Sequence, residues 1–289
     1  MSIDVLIHCQ NMLGESPLWC PRRERLYWVD IRAPALLHCA ADGSDLRTWQ
    51  MPEEIGSFAF CEGEDFLLAL KTGLYRYTPA TTAFSRIAAP DLHLPHHRFN
   101  EGKCDARGRF WAGTMNDLVR EASGSLFRLG ADLQCTRMST DIAVPNSMAW
   151  SVDGTTMYFA DTERRVIDVF DFDLDEGRMG QARPFADLRG GEGRPDGATV
   201  DSENCLWSAE VVSGRVVRYA PDGREIAAWK LPVSKVTSLT FGGPDLRTLY
   251  ITSGRYRLSA QELAEQPLAG ALFVLQAPVA GLPASCFAG

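Results

Sequence analysis

The chain has 289 residues, of which 45% are hydrophobic and 23% are charged, and its formal net charge is −8. This is the composition of an ordinary soluble globular protein with ample core. The 29 Lys and Arg residues are scattered rather than clustered, which argues against nucleic acid or an anionic membrane as a partner and is compatible with a small-molecule ligand.

The N-terminal segment MSIDVLIHCQNML lacks a basic start, a long apolar run and a small-residue cleavage site, so we expect no signal peptide. The absence of an 18-residue apolar stretch predicts that no segment spans a membrane. The eight cysteines contain no CxxC pair, and we expect reduced thiols in a cytoplasmic protein. Because no linker-like segment interrupts the chain, residues 1–289 are predicted to form one domain, and a monomer is the default expectation.

The first predicted strand, roughly Val5 to Cys9, precedes all repeated segments of the chain. The repeated segments that follow predict a closed ring of β-sheets, or blades, and we expect this first strand to pair with the last blade, since an unclosed ring would expose strand edges. We therefore expect proline at Leu6 to loosen the ring. Later strand segments alternate with turn-like segments, and the candidate third strands are LLHCA, GLYRYT, GSLFRL, VIDVFDF, GRVVRYA and GALFVLQ. The one helical candidate is short and covers residues 258–266.

A short pattern recurs six times: an oxygen-bearing or small residue, a hydrophobic pair, a turn and an aromatic strand. The copies begin at residues 15, 56, 100, 146, 196 and 237, and the successive differences are 41, 44, 46, 50 and 41. The copy from Glu15 to Asp30 aligns without a gap with the copy from Asn146 to Asp161, so the two aspartates are predicted to be equivalent structural caps. A period of about 40–50 residues containing several short strands predicts an all-β, six-bladed β-propeller, whereas a β-sandwich does not predict six copies in one register.

In a propeller, equivalent positions at the start of the innermost strands form a ring around one mouth of the central channel. Here these positions are Glu15, Gly56, Asn100, Asn146, Asp196 and Thr237. Four of them are acids or amides, and several oxygen donors around one axis are typical of a site for a hard divalent cation. Taken alone, segments such as RPDG and FNEG indicate simple turns, but the shared register favours the central metal-binding channel.

Other polar residues near these positions leave alternatives open. Arg98 is expected to point over the mouth and to hold a hydroxylated or anionic ligand. His96 and His97 could act as base or ligand, or could be solvated loop residues, and Lys103 could line the channel or cross a blade. The sequence contains no GxSxG, P-loop or HExxH motif, which disfavours serine hydrolase, nucleotide-binding and zincin chemistry.

Five motifs together resemble the SMP-30/gluconolactonase family of sugar-lactone hydrolases. They are LGESPLW at 13–19, RFNEGKCDARGRFWAGTM at 98–115, PNSMAWSVDG at 145–154, RPDGATVDSENCLWSA at 194–209 and FGGPDLRTLYITS at 241–253. The similarity covers essentially the whole chain in the same order. The resemblance implies a six-bladed propeller with one divalent metal ion in the channel.

Carried over by position, the resemblance implies that Glu15, Asn146 and Asp196 are the metal ligands. It likewise implies that Arg98 and Asn100 contact the substrate. Oxygen ligands suit Ca²⁺, Mg²⁺ or Mn²⁺, and we expect Ca²⁺, while Zn²⁺ and Fe²⁺ are compatible with the same ligand types.

Two departures from the family pattern leave the sugar selectivity open. Glu101 stands where the family commonly has Asp, and it is expected to lie beside the sugar as a longer acid. After AGTM, some members have a pair of glutamates that contact the substrate, whereas this chain has Asn116, Asp117 and Leu118. Asp117 is expected to replace one glutamate, and Leu118 cannot replace the other.

The leading hypothesis is hydrolysis of an aldonolactone, in which the metal polarises the carbonyl and Asp196 takes a proton from the attacking water. One alternative is a calcium-binding propeller without catalysis. The other alternative is a promiscuous phosphotriesterase-like hydrolase. Comparing hydrolysis of an aldonolactone with that of an organophosphate, with and without metal, distinguishes the three.

Overall fold

Six antiparallel sheets follow one another along the chain, and the first strand belongs to the last of these sheets. The computed structural model describes residues 2–289, so Met1 of the predicted domain lies outside the described residues. The first strand, β1, is Ile3–Ile7. The strands of blades 1 to 3 are β2–β5 (Gly14–Cys20, Arg25–Asp30, Ala35–Ala40, Arg47–Gln50), β6–β9 (Ile55–Phe60, Phe66–Leu70, Gly73–Thr78, Ala83–Ala88) and β10–β13 (His97–Cys104, Phe110–Asn116, Gly124–Leu129, Cys135–Ile142).

The strands of blades 4 to 6 are β14–β18 (Pro145–Trp150, Thr156–Asp161, Val166–Asp173, Arg178–Met179, Arg183–Asp187), β19–β22 (Arg194–Val200, Leu206–Val211, Arg215–Tyr219, Glu225–Lys230) and β23–β25 (Val236–Gly242, Thr248–Ser253, Leu272–Gln276). A 3₁₀ turn covers Thr162–Arg164. The predicted helix is present as α1, Ala260–Glu265, and begins with a capping box between Ser259 and Glu262. No helix within residues 2–289 is long and apolar enough to cross a membrane. The predicted six-bladed propeller is confirmed.

The first strand closes the ring as predicted, because β1 pairs antiparallel with β25 on the outer edge of blade 6. The strand lies two residues earlier than the predicted range. Val5 pairs with Phe273 and Ile7 pairs with Leu272, and Leu6 occupies the irregularity between them. Since Leu6 lies outside the regular ladder, proline at this position tests closure less directly than removal of the whole strand.

Each of the six predicted ring positions lies in the innermost strand of its blade. In every blade the pairing between the innermost strand and its neighbour is irregular at or beside this position. Such a β-bulge bends the strand and turns side chains away from the regular alternation. The repeated pattern in the sequence therefore corresponds to a repeated bulge that turns one residue per blade toward the channel.

The hydrophobic core consists mainly of six clusters, each shared by two neighbouring blades. One cluster joins blades 1 and 2 around Tyr27 and Phe66, and another joins blades 3 and 4 around Trp111 and Phe159. The remaining four occupy the equivalent interfaces around the ring. The aromatic residues that recur in the second strands thus pack between blades, and their burial fixes the angle between successive sheets.

The C-terminal segment runs across one face of the ring. Gly281 bridges to Asp201 of blade 5, and Phe287 bridges to Cys61 of blade 2 and is fully buried. Residues 282–285 line a cavity of about 310 Å³ at this end of the channel. The ring positions described above belong to the opposite end.

Candidate functional site

A cavity of about 500 Å³ opens at the end of the channel where the ring positions converge. Its wall contains five of the six ring residues, namely Glu15, Asn100, Asn146, Asp196 and Thr237. The sixth is a glycine because the next blade approaches closely: a Cβ at residue 56 would lie 2.4 Å from the carbonyl oxygen of Phe99. Residues far apart in sequence are therefore brought together as the repeat register predicted.

Hydrogen bonds between neighbouring innermost strands hold this ring in place. Ser16 and Ser147 follow two of the ring residues and adopt left-handed backbone conformations, with φ of 48° and 56°. The hydroxyl of Ser16 donates to the carbonyl of Gly56 at 3.2 Å, and that of Ser147 donates to the carbonyl of Asp196 at 2.7 Å. These bonds hold blade 1 against blade 2 and blade 4 against blade 5 at the level of the site.

The two ring amides belong to a hydrogen-bonded chain that crosses three blades. Asn100 Nδ2 donates to the carbonyl of Pro145 at 3.0 Å and to Asn146 Oδ1 at 3.2 Å. Asn146 Nδ2 donates to Thr162 Oγ1 at 2.8 Å, and that hydroxyl donates to the carbonyl of Pro195. Because a carbonyl oxygen has two lone pairs, Asn146 Oδ1 keeps one acceptor site for a further partner.

Three buried acids interact with one another at the cavity, where Glu15 and Asp196 belong to the wall and Glu101 lies behind it. Burial, followed by the charge of Glu101, raises the pKa of Glu15 to about 8. Burial also raises the pKa of Glu101 to about 7. Burial, followed by the charges of Glu15 and Glu101, raises the pKa of Asp196 well above its usual value. Ionising all three side chains is therefore costly unless a cation lies among them.

The donor set fits a divalent cation of the hard type. Glu15 and Asp196 provide carboxylate oxygens and Asn146 provides an amide oxygen, which are the ligands that such ions prefer. Within residues 2–289 no cluster of three His, Cys, Asp or Glu side chains has metal-binding geometry, so the amide oxygen is needed to complete the set. The roles of these three residues as ligands, and of Asp196 as base, stay predictions.

Glu101 lies behind the cavity wall rather than in it. Its Oε2 accepts a hydrogen bond from the backbone N–H of Met148 at 2.8 Å. The neighbouring Lys103 crosses from blade 3 and donates to the carbonyls of Met148 and Ala198, at 3.0 and 2.6 Å. Lys103 lines the cavity at the opposite end of the channel. A direct contact between Glu101 and substrate stays a prediction.

Arg98 lines the cavity and is held by two neighbours. Its Nη1 donates to Asn100 Oδ1 at 2.8 Å, and its Nε lies 3.1 Å from Asp117 Oδ1. Burial opposes ionisation of Asp117, but Arg98 and Arg32 outweigh it and hold the pKa of this carboxyl below its usual value. Asp117 does not line the cavity, so the structure places it as a bridge between two arginines.

The sequence analysis missed Arg32, whose guanidinium lines the cavity. A signal existed in the repeat register. Asp30 and Asp161 are equivalent as predicted. Each carboxylate accepts hydrogen bonds from backbone N–H groups in the loop that precedes its blade, and from the backbone N–H of the residue two positions later. Those later residues are Arg32, which lines the cavity, and Glu163, which pairs with the cavity-lining Arg120 and Arg194.

Neither histidine of the LPHHRFN segment lines the cavity. His97 is buried, with Nε2 3.1 Å from Ser123 Oγ and Nδ1 3.2 Å from the carbonyl of Pro95. His96 is exposed on the loop. These contacts give His97 a structural role in blade 3.

A cavity of about 570 Å³ lies outside the channel, where the end of β18 and the loop that follows it meet blade 5. Its main charged groups pair with each other, because Arg215 donates to the buried carboxylate of Glu210 at 2.9 Å. Tyr219 also donates to Glu210 at 3.0 Å. These groups satisfy one another, and we therefore assign the candidate site to the channel.

Comparison with known proteins gives close matches over the full chain. A 6-deoxy-6-sulfogluconolactonase of Pseudomonas putida is 39% identical over 292 residues, covering 100% of this chain and 99% of the relative. An L-arabinolactonase of Azospirillum brasilense is 40% identical over 289 residues, covering 99% of this chain and 95% of the relative. The crystal structure of a calcium-binding protein, regucalcin, from Agrobacterium tumefaciens superposes with a TM-score of 0.95 at 30% identity, covering 99% and 97% of the two chains.

The family assignment follows from these similarities and from a match to the family's own sequence pattern. The pattern described as the SMP-30/gluconolactonase/LRE-like region matches residues 13–255. This range contains all six ring positions and also Arg32 and Arg98. The chain therefore belongs to the SMP-30/gluconolactonase/LRE-like family.

Proposed function

We propose that the protein is a metal-dependent hydrolase that opens sugar-acid lactones to aldonic acids. The observation that carries this proposal is the convergence of Glu15, Asn146 and Asp196 in one cavity beside Arg98 and Asn100. Two relatives are named as lactonases, one for 6-deoxy-6-sulfogluconolactone and one for L-arabinolactone. Both names support the same reaction class.

A divalent ion bound to Glu15, Asn146 and Asp196 would supply Lewis-acid polarisation of the lactone carbonyl. Asp196 accepts a proton from the water that attacks the carbonyl carbon, and it returns this proton to the ring oxygen as the ester C–O bond breaks. Arg98 Nη1 donates hydrogen bonds to the carbonyl of Phe99 and to Asn100 Oδ1. The Nη2 group is therefore left to donate to a sugar hydroxyl. The activated ester makes a dedicated nucleophile unnecessary.

The proposal is tested by the variant Asp196→Asn, which keeps an oxygen at this position but cannot take a proton. We expect kcat/KM for glucono-1,5-lactone to fall by at least about 100-fold, with an unchanged circular dichroism spectrum. Asp175→Asn is the matched control, since Asp175 is exposed and pairs only with surface groups. Turnover close to that of the unsubstituted protein in Asp196→Asn would contradict the mechanism.

We propose Ca²⁺ as the ion, because all three donors are oxygens and the related structure from Agrobacterium tumefaciens is named a calcium-binding protein. The same name supports a second candidate function, a calcium-binding propeller without catalysis. Chelation separates the two. Loss of lactone hydrolysis on chelation, with recovery on adding Ca²⁺, supports the enzyme, whereas calcium binding without hydrolysis of any lactone in a panel supports the binding protein.

A further inference from the structure

Positive charge is concentrated around the cavity, although the protein as a whole carries a net charge of −8. Six basic side chains line the cavity wall: Arg32, Arg98, Arg120, Arg194, Lys235 and Arg257. The acids in the same wall are Glu15, Asp196 and Glu262. Two of these three are the proposed metal ligands, and a divalent cation would neutralise them, so the basic groups would dominate the field in the cavity.

Four of the six cations already have carboxylate partners. Arg32 and Arg98 share Asp117, as described above. Arg120 and Arg194 share Glu163, with a separation of 3.3 Å for Arg120. The charges of these four groups are therefore partly satisfied within the protein.

The other two cations, Lys235 and Arg257, pair with no carboxylate among residues 2–289. Lys235 Nζ donates to the carbonyl of Tyr256 at 2.6 Å, and an ammonium group has two further protons to donate. The guanidinium of Arg257 is exposed and lies 5.3 Å from the centre of the Tyr256 ring. The other arginine on this ring, Arg32, lies 4.4 Å from its centre.

Both of these cations contact Tyr256 and line the same cavity as the proposed catalytic acid, Asp196. Burial lowers the pKa of Lys235, and the charges of Arg120 and Arg257 lower it further, whereas Glu262 and Asp196 act in the opposite direction. Glu262 is already engaged, because its carboxylate accepts hydrogen bonds from the N–H and hydroxyl of Ser259 at the start of α1. A cluster of like charges of this kind is stabilised when an anion binds to it.

We propose that Lys235 and Arg257, assisted by Arg120, bind an anionic group of the substrate. The substrate class is then an aldonolactone that carries a sulfonate, phosphate or carboxylate at the end of the sugar away from the lactone carbonyl. The proposal rests on the proposed function, since the reacting carbonyl must lie at Asp196 while the anion contacts the wall. The cavity would then recognise two features of the substrate, the lactone carbonyl and the anionic group at the other end of the sugar.

The test compares two lactones that differ in this group, glucono-1,5-lactone and 6-phosphoglucono-1,5-lactone, with glucaro-1,4-lactone as a carboxylate probe. We expect the unsubstituted protein to have a kcat/KM at least about tenfold higher for the charged lactones. Lys235→Met and Arg257→Gln are each expected to lower the ratio of charged to neutral kcat/KM by about 10- to 100-fold. Arg255→Gln is the matched control, because Arg255 donates to Gln10 and does not line the cavity.

The outcomes separate this inference from the proposed function. Similar kcat/KM for charged and neutral lactones, with an unchanged ratio in Lys235→Met and Arg257→Gln, overturns the anion site while the lactonase proposal stands. If no lactone is hydrolysed, the lactonase proposal fails, and calorimetry with 6-phosphogluconate and gluconate decides on the anion site alone. Preferential binding of 6-phosphogluconate that is lost in Lys235→Met supports the site, and equal binding overturns it.

Discussion

At the scale of single residues, Asp117 holds two of the cavity arginines, Arg32 and Arg98. Arg98 is only 4% exposed, so removing its carboxylate partner would leave a buried positive charge without compensation. We expect Asp117→Asn to lower kcat/KM for an aldonolactone by at least about tenfold, mainly through a higher KM. Asp171→Asn, which removes an exposed partner of Arg183, is the control. An unchanged KM would show that Asp117 does not position Arg98.

At the scale of the structural elements, the innermost strands of blades 2 and 3 approach one another closely at Gly56. Because a Cβ there would lie 2.4 Å from the carbonyl oxygen of Phe99, Gly56→Ala must displace the backbone of blade 3. We expect a loss of about 1–3 kcal/mol in the free energy of unfolding, measured by urea denaturation. Gly190→Ala is the control, since no atom lies within 4 Å of its added methyl group. Equal stability of the two variants would contradict the close approach.

The closing strand β1 gives a second prediction at this scale. Ile3 and Val5 pack against the cluster of blades 5 and 6, and Leu6 and Ile7 pack against the cluster of blades 6 and 1. Deleting residues 2–7 removes these contacts and exposes the edge of β25, so we expect the melting temperature to fall by roughly 10 °C or more. Asp4→Asn, an exposed change in the same strand, should leave it unchanged. A truncated protein that melts within about 2 °C of the full chain would rule out closure as a source of stability.

At the scale of the whole molecule, the buried acids link stability to pH and to metal. The folded-state pKa values of Glu15 and Glu101, about 8 and about 7, lie above the ordinary value of 4.5. The metal-free folded state therefore binds more protons than the unfolded state, and its stability falls as the pH rises toward 8. Burial lowers the pKa of His38 from 6.5 to about 4. This histidine makes the folded state more stable as the pH rises, which is opposite to the effect of the acids, but only below about pH 6.5. Between pH 6.5 and 8 the two acids therefore act without the opposing effect of His38.

We expect the melting temperature of the chelated protein to decrease between pH 6.5 and 8, and added Ca²⁺ to raise it more at pH 8 than at pH 6.5, because the ligands bind the ion in their ionised forms. Glu15→Gln should reduce both effects, since it removes one of the titrating acids and one charged ligand. A calcium effect on the melting temperature that is absent, or independent of pH, would contradict the proposed site.

The repeat register explains why so much of the site was predictable. It placed Glu15, Asn146 and Asp196 at equivalent positions, and a propeller brings equivalent positions to one axis. The same reasoning could not predict which residues of one strand line the cavity and which lie behind its wall. Glu101 lies beside a ring position in sequence, yet the bulge in blade 3 turns it behind the wall toward Met148.

The number of blades, the closing strand, the ring of oxygen-bearing residues and the family could all be predicted from the amino-acid sequence, because each depends on a pattern that repeats or that matches a motif. Which charges in the cavity are compensated became visible only in the folded protein. Lys235 occupies the register position of Arg98, two residues before its ring position, and Arg257 lies in the loop between β24 and α1. Whether either cation has a partner depends on distances between loops of different blades. Ion pairing acts over a few ångströms in space, and separation along the chain does not reveal it.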